Sequence, residues 1–430
     1  MESEIAPPNP SIFTKPIFLL FGIGALLAYN AFLTELPFFD HFLPDLAPGK
    51  TIPFLNFALN ITFQFLILWK KNLFKLKIQL IMGLILSIIF LVLIPIVVTS
   101  FDKNSKPNII ITSFLILIMG FVNALLTSGF YSLASFFPLE NVVSLNTGMA
   151  IAGILMNVIQ YIVLLFVNTG DKEKDIMISA LVFFSISGFI LLVCLIILLF
   201  QFKTKYYNYY LRTLYSKKDV SIKEGDSNGE TEFHLISENN ESEEIQGQKK
   251  ELSFIEMFLI LKDIDLLGMF IYIVTASLYP NAIIRQQLYN INEKYNINTI
   301  LIIINSCDTI GRYLVVKVKP SKKLTAIVIL SRTIFIVTII LSYYFQQNDI
   351  NNNKIGWTST FFLINIIILS ISNGVGTSLC FGIAPTLVND EYKGQAGASV
   401  SFFATMGTFI GTILAFLTSY IMGLMEKKKK

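Results

Sequence analysis

The sequence predicts an all-α integral membrane protein with about eleven spanning helices, six before a polar stretch and five after it. Three observations predict it. The chain is 54% hydrophobic and only 14% charged, with a mean hydropathy of +0.65. Its apolar residues come in long unbroken blocks, each reaching the roughly 20 residues that a bilayer-crossing helix needs. Lys203 to Ser253 is lysine-rich and then acidic, and cannot bury enough apolar surface to order itself. The expected organisation is therefore a half over residues 1–202, a flexible linker over 203–253 and a second half over 254–430.

In order, the first block runs from about Pro16 to Phe39, and Pro37 and Pro44 punctuate its exit. The second, Thr51 to Trp69, carries Asn56, Asn60 and Gln64 four apart, a polar stripe on one helical face, and stops at Lys70 and Lys71. The third is Leu76 to Thr99, with Pro95 near its end, and the fourth, Asn108 to Phe137, closes at Pro138. The fifth and sixth are Ser144 to Val167 and Asp175 to Phe202. After the linker come Ile264 to Ile284, broken by Pro280, then Ile297 to Val318, and Leu324 to Phe345 with Arg332 inside. The last two are Trp357 to Val388, containing Ser372-Asn373-Gly374, and Ala396 to Met425.

Lysines orient the chain. A cytoplasmic linker puts the N-terminus and the loops of Lys70, Lys71, Lys75, Lys77 and of Lys317, Lys319, Lys322, Lys323 on the same side, as the positive-inside rule requires. An odd helix count sends Lys427 to Lys430 outside, against that rule, and an even count would restore it.

Several classes are disfavoured. The net charge of +4 is small and its lysines sit in loops, so no nucleic-acid surface is expected. Cys194, Cys307 and Cys380 lie in separate apolar blocks and read as packing residues, while His41 and His234 lie apart in loop sequence. No metal, cofactor or catalytic constellation is expected. The N-terminus, with Glu2, Glu4 and three early prolines, is wrong for a cleaved signal peptide.

The eighth block holds Asn305-Ser306-Cys307-Asp308-Thr309-Ile310-Gly311-Arg312. Asp308 and Arg312 are one helical turn apart, and Asn305 lies one turn earlier on the same face. Ionised side chains within a bilayer cost a few kcal/mol each, so they face a bundle interior or a watery cavity. The pair either lines a polar pathway or pins two helices together. Small residues, such as Gly394, Gly397, Gly407 and Gly411, read as helix packing. Polar residues each need a partner away from water, and Asn30, Glu35, Asn123, Thr127, Asn305, Asp308 and Arg312 could converge on one mid-depth cavity.

Four places together resemble the equilibrative nucleoside transporters. They are Leu26-Leu27-Ala28-Tyr29-Asn30-Ala31-Phe32; Phe136-Phe137-Pro138 with Thr147-Gly148-Met149-Ala150-Ile151-Ala152-Gly153; Asn305-x-x-Asp308-x-x-Gly311-Arg312; and Ser372-Asn373-Gly374 with Pro385 and Ala396-Gly397-Ala398. The third is the most specific, and the likeness covers nearly the whole chain. It implies a major-facilitator-like arrangement of eleven helices, a cytoplasmic N-terminus and facilitative carriage of a small molecule across a lipid bilayer by alternating access. It also implies that Asp308 and Arg312 serve the pocket, the arginine near the sugar hydroxyls. Tyr29 stands where the family has tryptophan, and Thr127 where it has a base-contacting glutamine, with Asn123 one turn away as a replacement amide.

The substrate-binding set expected is thus Tyr29, Asn30, Asn123, Thr127, Asn305, Asp308 and Arg312. The substrate expected is a purine nucleoside, a nucleobase, or both. Alternatives are a proton-linked carrier, for which Glu35 is the candidate group, and another major-facilitator-like solute carrier. A plasma-membrane location is expected, with an organelle membrane as the alternative.

Overall fold

The computed structural model describes residues 12–70, 73–167, 169–215, 252–291, 293–315, 321–349 and 355–427, and every regular element among them is helical. Helix α1 (Thr14–Thr34) breaks at Glu35 and continues as the short α2 (Leu36–Phe42). Pro37 has no N–H to extend the first helix. The chain bends there, and Phe38 and Phe39 turn back into a cluster of rings with Phe32 and Phe184.

The first bundle is completed by α3 (Pro48–Trp69), α4 (Leu76–Ser100), α5 (Lys106–Ser135), α6 (Leu139–Phe166) and α7 (Lys172–Gln201). The start of the expected linker is instead a helix, α8 (Lys205–Tyr215). Its tyrosines supply the apolar area that the rest of that stretch lacks: Tyr207 is buried, stacked on Phe18 and packed on Phe137. Residues 216–251 lie outside the described residues, as do Lys71, Lys317, Lys319 and Lys428 to Lys430.

The second bundle begins with α9 (Phe254–Leu278), well ahead of the expected Ile264. A capping box starts it: the Ser253 hydroxyl accepts from the Glu256 N–H at 3.2 Å, and the Glu256 carboxylate accepts from the Ser253 N–H at 2.8 Å. Then come the single turn α10 (Asn281–Ile284), α11 (Glu293–Leu314), α12 (Lys322–Leu330) joined to α13 (Ile334–Asp349) by one 3₁₀ turn, α14 (Ile355–Ile383) and α15 (Lys393–Lys427). Nine helices among the described residues are long and apolar enough to cross a membrane. Helices α9 and α11 have the length, but Lys262, Asp263 and Asp265 in one and Asp308 and Arg312 in the other make them more polar.

Within the bundles α1 packs along α6, α3 along α5, α9 along α15 and α11 along α14. The bundles meet where α6 lies on α11 and where α15 lies on α3 and α5. At the α11–α14 crossing a Cβ on Gly311 would overlap the Ile371 carbonyl, and one on Gly374 would overlap the Asp308 carbonyl. The two backbones touch there, which brings Asp308 against α14.

Candidate functional site

A cavity of about 220 Å³ lies between the bundles, and helices of both line it. Tyr29, Asn30, Asn123, Thr127, Asn305, Asp308 and Arg312 all line this one space. Glu35 does not. It is buried at the α1–α2 break, 2% exposed, with its Oε1 unpartnered among the described residues.

One wall is charged. The Arg312 Nε donates to Asp308 Oδ2 at 2.8 Å, as the four-residue spacing on α11 predicts. The other carboxylate oxygen accepts from Asn373 Nδ2 of α14 at 2.8 Å, so both oxygens are engaged. A buried ion pair is tolerable only when its remaining lone pairs and protons find partners. Arg312 finds a second one across the bundle interface, where its Nη1 donates to the Asn146 carbonyl of α6 at 2.7 Å. Below it Tyr131 donates to Asn146 Oδ1 at 2.6 Å, and the Tyr131 ring stacks on Phe381 of α14 with centroids 3.7 Å apart.

Behind this wall sits a second guanidinium. Arg332, fully buried, donates to the Leu369 carbonyl, Ser372 Oγ, Thr275 Oγ1 and Asn373 Oδ1 at 2.6 to 3.2 Å. All four are neutral acceptors, so two guanidiniums and one carboxylate share this network. Thr275 also donates to Asn373 Oδ1 at 2.8 Å. With its carbonyl held this way, Asn373 can only present its NH₂ to Asp308.

The facing wall, on α3 and α5, is neutral. Gln64 is fully buried, and its Nε2 lies 2.8 Å from Asn60 Oδ1, 3.1 Å from Thr127 Oγ1 and 2.8 Å from Thr405 Oγ1 of α15. Its Oε1 accepts from Ser401 of the same helix at 3.2 Å. Thr127 in turn donates to the Asn123 carbonyl at 2.7 Å, which leaves its hydroxyl occupied in both directions. A glutamine of the neighbouring helix, Gln64, thus lies directly beside Thr127. Tyr29 meets Phe57 edge to face at 5.1 Å, and the Asn30 amide donates to the Leu26 carbonyl of its own helix at 3.0 Å. Asn305 is set against Gly153, where a Cβ would strike its amide.

Asn56, Asn60, Gln64, Thr275, Arg332 and Asn373 also belong to the site or its support, and sequence reasoning did not place them there. The stripe on α3 was a usable signal for the first three. Arg332 was visible as a charge inside an apolar block, but its partners come from two other helices, α9 and α14.

The profile of a family described as nucleoside transporters matches residues 113–420. Equilibrative nucleotide transporter 3 of Arabidopsis thaliana is 25% identical over 93% of this chain and 92% of its own length. Equilibrative nucleoside transporter 1 of Homo sapiens is 22% identical over 93% and 95%. Among solved structures, a proton:xylose symporter of the major facilitator superfamily superposes with a TM-score of 0.62 over 96% of this chain and 95% of its own, at 12% identity. The human organic anion transporter MFSD10 gives 0.53 over 97% and 98%, at 10% identity. These structural likenesses concern the fold, which is that of the major facilitator transporters.

Proposed function

The chain belongs to the nucleoside transporter family, and we propose that it carries purine nucleosides or nucleobases by facilitated diffusion, the two bundles alternating around the central cavity. One observation carries this reading: the Asp308–Arg312 pair lies on the cavity wall and reaches across the bundle interface to Asn146. A group that touches both substrate space and the opposite bundle can couple occupancy to bundle movement.

In this reading the moving units are residues 1–202 and 254–430. Arg312 and Asp308 receive the ribose hydroxyls, the guanidinium as a planar fork of donors and the carboxylate as an acceptor. Tyr29 supplies an aromatic face for the base, flanked by Asn30 and Asn305. Asn123 and Thr127 stand on the base side. The plasma membrane is the proposed site of action.

The test is uptake by the full-length protein in liposomes, with radiolabelled adenosine, inosine and hypoxanthine. Saturable uptake and counterflow that require no ion gradient are expected. Transport of another solute class, with none of these three moved, would overturn the reading.

A further inference from the structure

Helices α3 and α5 cross so closely that a Cβ on Gly120 would overlap the backbone carbonyl of Asn56. One turn on, this contact brings the side chains of Asn56 and Asn123 together, 1% and 2% exposed. The Asn123 Nδ2 donates to Asn56 Oδ1 at 3.2 Å. That bond uses half of each amide and leaves the other half unpaired: Asn56 Nδ2 and Asn123 Oδ1 are buried and have no partner among the described residues. Both residues line the cavity. Turning both amides over would exchange the roles and leave the same inventory, one free donor beside one free acceptor.

Open polar groups in a membrane interior are costly unless something pairs with them. Nearby groups do not. Thr127 and Gln64 are committed to each other and to Asn60, Ser401 and Thr405. We infer that the Asn56–Asn123 amide pair is a base-reading subsite, specific for a nucleobase edge that carries an adjacent donor and acceptor. This rests on the carrier function proposed above and adds to it which groups read the base.

The chemistry matches purines substituted at position 6. Hypoxanthine would donate from N1–H to Asn123 Oδ1 and accept at O6 from Asn56 Nδ2. Adenine would donate from its exocyclic amine to the same oxygen and accept at a ring nitrogen. An amide meeting the amine and ring nitrogen of adenine is the bidentate contact that asparagine makes to that base in nucleic-acid recognition. The charged wall belongs to the other bundle, so a nucleoside would be held with its sugar on one bundle and its base edge on the other.

The experiment uses the full-length protein in liposomes and compares kcat/KM for adenosine, inosine and purine riboside, which lacks any group at position 6. Purine riboside is expected to fall about tenfold or more below the better of the other two. Asn56→Ala and Asn123→Ala should each bring that better substrate down toward the purine riboside level, with surface expression and elution volume unchanged. If either variant fails to insert, the wild-type ratio decides alone. Equal kcat/KM for all three in the wild type, or a ratio that both variants preserve, overturns the subsite while leaving the carrier standing. No wild-type uptake of any of the three overturns the carrier reading itself.

Discussion

Arg312 on α11 donates to the backbone carbonyl of Asn146 on α6 at 2.7 Å, so the guanidinium that lines the cavity also ties one bundle to the other. The same group holds Asp308 at 2.8 Å through a different nitrogen. A guanidinium, with five N–H donors held in a rigid fork, makes both bonds from separate nitrogens and keeps donors to spare.

Replacement of Arg312 by lysine keeps the charge and removes the fork. Uptake is expected to fall between about tenfold and a hundredfold, the equivalent of one lost charge-assisted hydrogen bond, while surface expression stays within about twofold. Initial-rate uptake normalised to surface protein measures this. Unchanged uptake would remove Arg312 from the substrate site.

Asn373 presents its NH₂ to Asp308 because Arg332 and Thr275 hold its carbonyl. Asn373→Asp should set two carboxylates face to face and lower uptake by about tenfold or more. Asp308→Asn alone leaves Arg312 without its counterion and should be at least as severe. Combining the two returns a single carboxylate to the network, one side chain over, and uptake is expected to recover in part. A double variant no better than the worse single one would refute this coupling.

Gln64 fills the space beside Thr127, so Thr127→Gln alone should overpack the α3–α5 seam and cost about 1–3 kcal/mol. The exchange Gln64→Thr with Thr127→Gln restores the volume and is expected to recover most of the lost thermal stability. Melting of the detergent-solubilised protein, read by fluorescence, is the measurement.

A facilitative carrier needs no proton gradient. Uptake into liposomes that carry an imposed inward proton gradient should be the same with and without a protonophore. A collapse of uptake on adding the protonophore would return the buried Glu35 to the mechanism.

Much of the site was legible because it is local. Asp308 and Arg312 are separated by one turn of one helix, and helical geometry alone puts them together. The stripe of Asn56, Asn60 and Gln64 was equally visible, but its meaning depends on Thr405, 341 residues from Gln64 along the chain. No spacing rule reaches that far. Lys262, Asp263 and Asp265 interrupt the hydropathy of α9 and hide its first turns, while Ser253 and Glu256 set the true start. The tyrosines of α8 look in sequence like part of the polar stretch after them, since nothing in their order announces Phe18 and Phe137 as neighbours.

Because Asp308 and Arg312 ride on one helix, a carrier cycle need never pull a cation from its anion in a medium that screens charge poorly. The link from this pair to the opposite bundle is a bond from a guanidinium to a neutral carbonyl, which a hydroxyl or a water can replace, as it can the neutral contacts of Gln64 with Ser401 and Thr405. Inward- and outward-facing forms need not then differ by the cost of a separated charge.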